Sequence, residues 1–281
     1  MAIRARRGWL VVVAMSALPP YHVAAYNTAK SSENKIHDNA TAKRFGFKGG
    51  LVGGVHVYAY MSHLPVQRWG RAWLERGTGE ARFGKPVYEG DIAEITAVDD
   101  ATGMSLQVDS GGQRCATGHA GLPDKAPELP VLADFKSVPA RAHRVAADEQ
   151  SLKIGDWLGM NPLTITQDYQ IQDIADTRET DPLYLREGIV HSGTVLRCCN
   201  WALSQNVILP AWMHMGSTVQ NLGVAQVGDT LGVRARVTKN YEHKGHKWVE
   251  IDALVIVNET KPIARVTHIA IYRPRQLAEA A

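Results

Sequence analysis

The chain has 281 residues, of which 45% are hydrophobic and 21% are charged, and its mean hydropathy is −0.19. These values are typical of a globular protein and exclude a disordered or fibrous chain. Its 31 basic and 28 acidic side chains leave a net charge of +3, which is too weak to predict nucleic-acid binding but suits a polyanionic small ligand.

The N-terminal residues 1–20 form an extension with two possible interpretations. A basic start, a short apolar run and a small-residue tail have the outline of a secretory signal peptide. The apolar run has only about seven residues, at the lower limit for such a peptide. We therefore favour a plain N-terminal extension or an over-long start assignment, because the remaining sequence has the features of a cytoplasmic metabolic enzyme.

Residues 21–122 predict the first of two similar units. A strand-like alternation at Tyr21–Asn27 is followed by a polar stretch, 31–39, and by the glycine-rich turn 49–54. The apolar run Val55–Leu64 then has the length of a helix, and Cys115–Leu122 closes the unit as a strand. This order predicts a β-rich unit wrapped around one central helix.

Residues 140–281 repeat that plan. A glycine-containing turn at 188–193 precedes the apolar run Thr194–Leu203, and Ala264–Tyr272 closes the unit as a strand. Gly54 precedes the Gly-Asp turn ending at Asp91 by 37 residues, and Gly193 precedes its counterpart by 36. The spacing indicates an internal repeat, and the proline-rich residues 123–139 are predicted to link the two units.

Each glycine turn leads directly into a predicted central helix. Glycine lets a backbone turn sharply and approach a ligand closely, and the first turn of a helix presents unpaired N–H groups. The turn at Gly53 and Gly54 is therefore a candidate for holding an oxygen that gains negative charge. A tight turn needed only for packing is the alternative.

The polar stretch and the first glycine turn together resemble a known family. The residues Ser32-Glu33-Asn34-Lys35-Ile36-His37, followed by Gly50-Leu51-Val52-Gly53-Gly54, resemble the MaoC-like, R-specific enoyl-CoA hydratases. The resemblance covers about residues 21–274 and implies an α+β double hot-dog fold, with two curved antiparallel sheets each wrapped around a central helix.

The resemblance also implies roles for individual residues. The family's catalytic His falls on His37 and its motif Asn on Asn34, whereas its catalytic Asp is replaced by Ser32. Glu33 and Asp38 flank the motif as alternative carboxylates, and a helix N-cap is the competing role for Asp38. Ser32 can hold a water molecule but is a poor base.

The second unit carries an altered copy of the same motif. Glu179 falls on the position of the catalytic Asp, and Tyr184 replaces the His. We therefore expect a non-catalytic second unit that supports the first and shapes the acyl pocket.

Further residues are predicted to contact the substrate or to be structural. Gly53 and Gly54 would bind the thioester oxygen, and Arg82 and Lys85 would meet CoA phosphates, with a solvated basic surface as the alternative. His56 and His63 lie seven residues apart on one helix, but no third ligand accompanies them and no metal is predicted. The three cysteines, Cys115, Cys198 and Cys199, have no metal-ligand spacing and favour a reducing, cytoplasmic location.

The leading hypothesis is reversible addition of water to a 2-enoyl thioester, as in an enoyl-CoA hydratase or 3-hydroxyacyl-thioester dehydratase. Such an enzyme needs no cofactor beyond the CoA or acyl carrier protein of its substrate, and neither nucleic acid nor a membrane is an expected partner. The alternatives are a hot-dog acyl-CoA thioesterase and a non-catalytic acyl-thioester binding or partner subunit. A homodimer is possible, although a tandem chain can satisfy hot-dog pairing internally.

Overall fold

The computed structural model describes residues 18–278, so most of the predicted extension 1–20 lies outside the described residues. The first unit contains three helices, five strands and a short 3-10 helix at Lys35–His37. In chain order its elements are β1 (Tyr21–Ala24), α1 (Asn39–Arg44), α2 (Gly54–Trp69), α3 (Arg71–Arg76), β2 (Thr78–Phe83), β3 (Ile92–Asp100), β4 (Gly103–Ser110) and β5 (Gln113–Gly121).

The second unit has the same plan with additional short elements. Its elements are β6 (Val145–Ala146), β7 (Trp157–Leu158), β8 (Leu163–Thr164), α4 (Gln167–Thr177), α5 (Leu183–Glu187), α6 (Ser192–Ser204), β9 (Val207–Ile208), β10 (Met213–Asn221), β11 (Thr230–His243), β12 (His246–Val257), β13 (Lys261–Arg273) and α7 (Arg275–Ala278). Among the described residues no helix is both long enough and apolar enough to cross a membrane.

The two units contribute equivalent antiparallel sheets that join edge to edge. The strand order is β1-β3-β4-β5-β2 in the first unit and β10-β13-β12-β11-β7 in the second, and β2 pairs with β10. The expected two sheets therefore form one continuous sheet, because the edge strand of each unit satisfies its free backbone groups on the other. Isolated bridges join Leu51 to Tyr88 and Ile189 to Gln226, at the same sequence separation, which supports the internal repeat.

The central helices α2 and α6 pack against each other where their sequences contain small residues. A Cβ added to Gly193 would lie 2.8 Å from the Cβ of Ala59, so a glycine is needed at this close approach. The hydroxyl of Ser192 donates a hydrogen bond to Ser62 across the same contact.

Helix α2 is longer than the predicted Val55–Leu64, since it continues beyond Pro65 to Trp69. Proline normally ends a helix. Here every residue from Val55 to Val66 is buried, and tertiary packing outweighs the lost hydrogen bond.

The proline-rich segment, residues 123–139, packs against the second unit. A short 3-10 helix at Leu132–Asp134 precedes Phe135, which packs with Leu254 and Ile256. The guanidinium of Arg234 donates hydrogen bonds to the backbone oxygens of Leu132 and Phe135. The segment is thus irregular but held in place by packing and by these hydrogen bonds.

Candidate active site

His37 lies at the end of the short 3-10 helix, with both ring nitrogens in hydrogen-bonding contact. Its Nδ1 lies 2.6 Å from the backbone oxygen of Leu51, and its Nε2 lies 3.2 Å from the amide nitrogen of Asn34. A carbonyl oxygen can only accept and an amide NH2 can only donate, so the network assigns the proton to Nδ1 and a lone pair to Nε2.

This protonation state makes His37 a base. Burial lowers the pKa of His37 below its ordinary value of 6.5, although the hydrogen bond to the Leu51 carbonyl opposes that shift. The ring is therefore neutral at neutral pH, and Nε2 carries the lone pair that a general base needs.

The loop that carries Asn34 and His37 is attached to the second unit. The Asn34 side chain donates to the backbone oxygen of Trp212 (3.0 Å) and accepts from its backbone N–H (3.1 Å). The backbone N–H of Lys35 donates to the oxygen of Pro210. The orientation of His37 through Asn34 thus depends on residues nearly 180 positions away in sequence.

The glycine turn packs tightly under this loop. A Cβ on Gly50 would lie 2.1 Å from the backbone oxygen of His37, so only glycine allows the approach. Gly53 is the N-cap of α2, and a Cβ there would lie 3.5 Å from Nδ1 of His56 and 3.8 Å from Cε1 of His37. Helix α2 thus begins at Gly54, one residue before the predicted Val55 and directly after the glycine turn, so its first turn starts close to His37.

Two cavities have His37 in their walls. The outer groove has a volume of about 740 Å³ and contains three arginines, Arg141, Arg144 and Arg197. The inner chamber has a volume of about 160 Å³, and most of its wall is apolar or aromatic, as at Phe47, Phe83 and Val87. Asn34, His37 and Gly53 line both cavities. A base thus lies between a basic outer groove and an apolar inner chamber.

The carboxylates flanking the motif are already engaged. Glu33 lines the outer groove, but it forms a two-pronged ion pair with Arg144 (2.7 and 3.0 Å), and this hydrogen bonding lowers its pKa. Asp38 caps α1 by accepting from the N–H of Thr41, which agrees with the N-cap interpretation. Ser32 lines the groove, and its hydroxyl donates to the Asn34 backbone oxygen.

The structure places the predicted basic residues differently. Arg82 is exposed, forms an ion pair with Glu80 and lines neither cavity. Lys85 lines the inner chamber rather than a phosphate-binding mouth. The groove arginines all come from the second unit, at Arg141, Arg144 and Arg197. Sequence spacing gave no signal for these three, because only the tertiary fold brings them to His37.

The altered motif of the second unit forms a separate buried cluster. The carboxylate of Glu179 lies 2.7 Å from Nδ1 of His63 and 3.3 Å from Nε2 of His191. Burial alone would raise the pKa of Glu179, but the hydrogen bonds from His191 and His63 outweigh it and hold that pKa well below its ordinary range. Tyr184 is fully buried beside His191. Glu179 lines neither cavity, so it does not replace the missing carboxylate near His37.

Comparisons with known proteins establish the fold. No family model matches the chain, and no curated protein matches it. Among solved structures, a protein described as a MaoC domain dehydratase from Chloroflexus aurantiacus J-10-fl is similar over 92% of this chain and 94% of its own, with 11% identity and a TM-score of 0.57.

Two further structures have the same architecture. A conserved hypothetical protein from Mycobacterium tuberculosis with a double hotdog fold matches over 92% of this chain and 96% of its own, with 12% identity and a TM-score of 0.57. A protein described as a thioesterase from Novosphingobium aromaticivorans matches over 80% and 89%, with 10% identity and a TM-score of 0.50. The chain therefore has the predicted α+β double hot-dog fold, and its resemblance to MaoC-like proteins holds at the level of the fold.

Proposed function

We propose that the protein is a hydro-lyase that adds water reversibly to a 2-enoyl thioester. The observation that carries this proposal is the position of His37, a half-buried neutral base where the basic groove meets the apolar chamber, beside the start of α2. Hydration needs these three elements: a base for water, a pocket for the acyl chain and donors for the thioester oxygen.

The groove suits the phosphate-bearing handle of an acyl-CoA. Arg141 and Arg144 lie on its wall, and guanidinium groups bind phosphate oxygens with directional, charge-assisted hydrogen bonds. The inner chamber suits the acyl group, since its volume is close to the roughly 150 Å³ of an apolar protein cavity that holds benzene. A cytoplasmic location and a substrate carried on CoA rather than acyl carrier protein belong to this proposal.

The proposed reaction proceeds with His37 handling both protons. Nε2 takes a proton from water as the oxygen bonds to the β-carbon, and the π electrons of the double bond move toward the thioester to give an enolate. The imidazolium then returns that proton to the α-carbon, which collapses the enolate and restores neutral His37. Because one group serves both carbons, water is expected to add to one face of the double bond.

Hydrolysis of the thioester is a weaker alternative. Neither α2 nor α6 carries a carboxylate, and Glu33, the one carboxylate lining the two described cavities, is paired with Arg144. The replacement of the motif Asp by Ser32 favours a second alternative, an acyl-thioester binding protein without turnover.

The decisive experiment measures the loss of enoyl-thioester ultraviolet absorbance with crotonyl-CoA and cinnamoyl-CoA. We expect turnover by the wild type, and His37→Ala should lower kcat by about 10²–10⁴-fold. The matched control is His22→Ala, because His22 is an exposed histidine on β1. Release of free thiol would indicate hydrolysis instead, and tight binding without absorbance loss would indicate a binding subunit.

A further inference from the structure

A second imidazole lies beside the one that acts as the base. His56 is in the first turn of α2, lines the outer groove and is buried. The position of a Cβ on Gly53, 3.5 Å from Nδ1 of His56 and 3.8 Å from Cε1 of His37, shows that the two rings flank the same small space. A reacting group lying over Gly53 would contact both.

The hydrogen bonds of His56 fix which nitrogen carries its proton. Its Nε2 lies 3.3 Å from a guanidinium nitrogen of Arg197 and 3.1 Å from the hydroxyl of Thr28. A guanidinium can only donate, so Nε2 is the acceptor and the proton of the neutral ring is on Nδ1. Arg197 is itself oriented by Asp173, whose carboxylate lies 3.5 Å away.

The Nδ1–H group of His56 is available to a ligand. Within residues 18–278 no hydrogen bond engages Nδ1. Burial, together with the positive charge of Arg197, lowers the pKa of His56 to about 3. The ring therefore stays neutral across the physiological range, and a neutral imidazole can donate a hydrogen bond to a substrate oxygen without giving up its proton.

We infer that His56 is a catalytic residue whose Nδ1–H donates a hydrogen bond to the thioester carbonyl oxygen. This inference rests on the proposed hydration. As negative charge moves onto that oxygen in the enolate, the His56 donor and the first N–H groups of α2 stabilise it from the Gly53 side. No proton leaves His56, so the proton taken from water is still returned to the α-carbon by His37.

Two near-isosteric replacements separate this role from a structural one. In His56→Asn the amide nitrogen occupies the position of Nδ1, whereas in His56→Gln the amide reaches the position of Nε2, where its oxygen can accept from Arg197, and leaves no donor at Nδ1. With crotonyl-CoA we expect His56→Leu and His56→Gln to lose about 10²–10³-fold in kcat with little change in KM, as for removal of one oxyanion donor. The kcat of His56→Asn should be at least tenfold higher than that of His56→Leu or His56→Gln. His22→Asn is the matched control for an exposed histidine.

A spectroscopic measurement tests the same hydrogen bond without turnover. Crotonyl-CoA labelled with ¹³C at the thioester carbonyl is bound to His37→Ala, and its carbonyl stretch is recorded by difference infrared spectroscopy. We expect a shift to lower frequency on binding, which is reduced in His37→Ala/His56→Leu and restored in His37→Ala/His56→Asn.

The outcomes distinguish the two proposals. If the wild type does not hydrate crotonyl-CoA but the carbonyl shift depends on His56, the proposed reaction fails and the donor role stands. The donor role is wrong if the kcat of His56→Leu stays within threefold of the wild type, or if the substitution changes KM alone. It is also wrong if the carbonyl stretching frequency is the same with and without His56. Failure of crotonyl-CoA to bind would overturn both.

Discussion

The substitution Gly53→Ala tests the site with little disturbance of the fold. The backbone at Gly53 (φ −62°, ψ 140°) is one that alanine adopts freely, and the added Cβ meets its nearest neighbours only at ordinary contact distances. Alanine reduces the conformational entropy of the unfolded chain, which stabilises the variant by about 0.4–1 kcal/mol. Alanine is also a poorer N-cap residue than glycine, which destabilises the variant by about 1 kcal/mol. The free energy of unfolding should therefore change by less than about 1 kcal/mol.

Activity should respond very differently to this methyl group. It would fill the space between His37 and His56, where the proposed thioester substrate would lie, and a displacement of about 1 Å at a reacting centre costs about 10²-fold. We expect kcat/KM for an enoyl-CoA to fall at least that far in the absorbance assay. Urea denaturation monitored by circular dichroism measures the free energy of unfolding of the same variant.

Two glycine variants serve as controls for Gly53→Ala. In Gly232→Ala, on β11, the new Cβ would meet Ile256 no closer than 3.6 Å, so activity and stability should both be retained. In Gly54→Ala the Cβ would lie 2.8 Å from Nδ1 of buried His214, which should cost about 1–3 kcal/mol of stability. A stable Gly53→Ala protein with more than a third of wild-type activity would refute the assignment of this space to the substrate.

Three further predictions address charge and protonation. Glu33→Gln should change kcat less than threefold because its carboxylate is paired with Arg144; a hundredfold loss would identify Glu33 as the catalytic carboxylate instead. Arg141→Gln should raise KM about tenfold for an acyl-CoA but leave it unchanged for the matching acyl-pantetheine, which lacks the nucleotide phosphates; equal effects on both would exclude phosphate binding. The free energy of unfolding, measured by urea titration, should fall by about 4 kcal/mol between pH 7.5 and 5.5. Three buried histidine rings stay neutral in the folded state, whereas in the unfolded state they gain protons below their ordinary pKa of 6.5. Burial lowers the pKa of His56 and of His214 to about 3 and holds the pKa of His268 well below its ordinary value. A flat pH profile would contradict this reasoning.

Local sequence patterns were sufficient to predict the repeat, the two central helices and the loop that contains His37. Each of these depends on spacing along the chain, such as the glycine turn directly before α2. The ends of elements were less predictable, because α2 continues through Pro65 where packing outweighs the cost of a proline.

The remaining parts of the candidate site depend on contacts between distant residues. The spacing of His56 to His63 on one helix predicted no role for His56, because its environment is set by Arg197 and Thr28. Similarly, nothing near Glu33 in sequence indicates that Arg144 engages it. Pairings between residues more than a hundred positions apart carry no periodic signal, so spacing alone could not reveal them.

The attachment of Asn34 to the backbone of Trp212 has a consequence for the order of events during synthesis. The two residues are separated by 178 positions, so the loop that orients His37 leaves the ribosome long before its anchor exists. Even if the first unit folds as soon as it emerges, the anchor of the loop that carries His37 and the pairing partner of β2 arrive only with the second unit. A nascent chain that stops before residue 212 is thus expected to be inactive, and its exposed β2 edge would be a natural target for a chaperone.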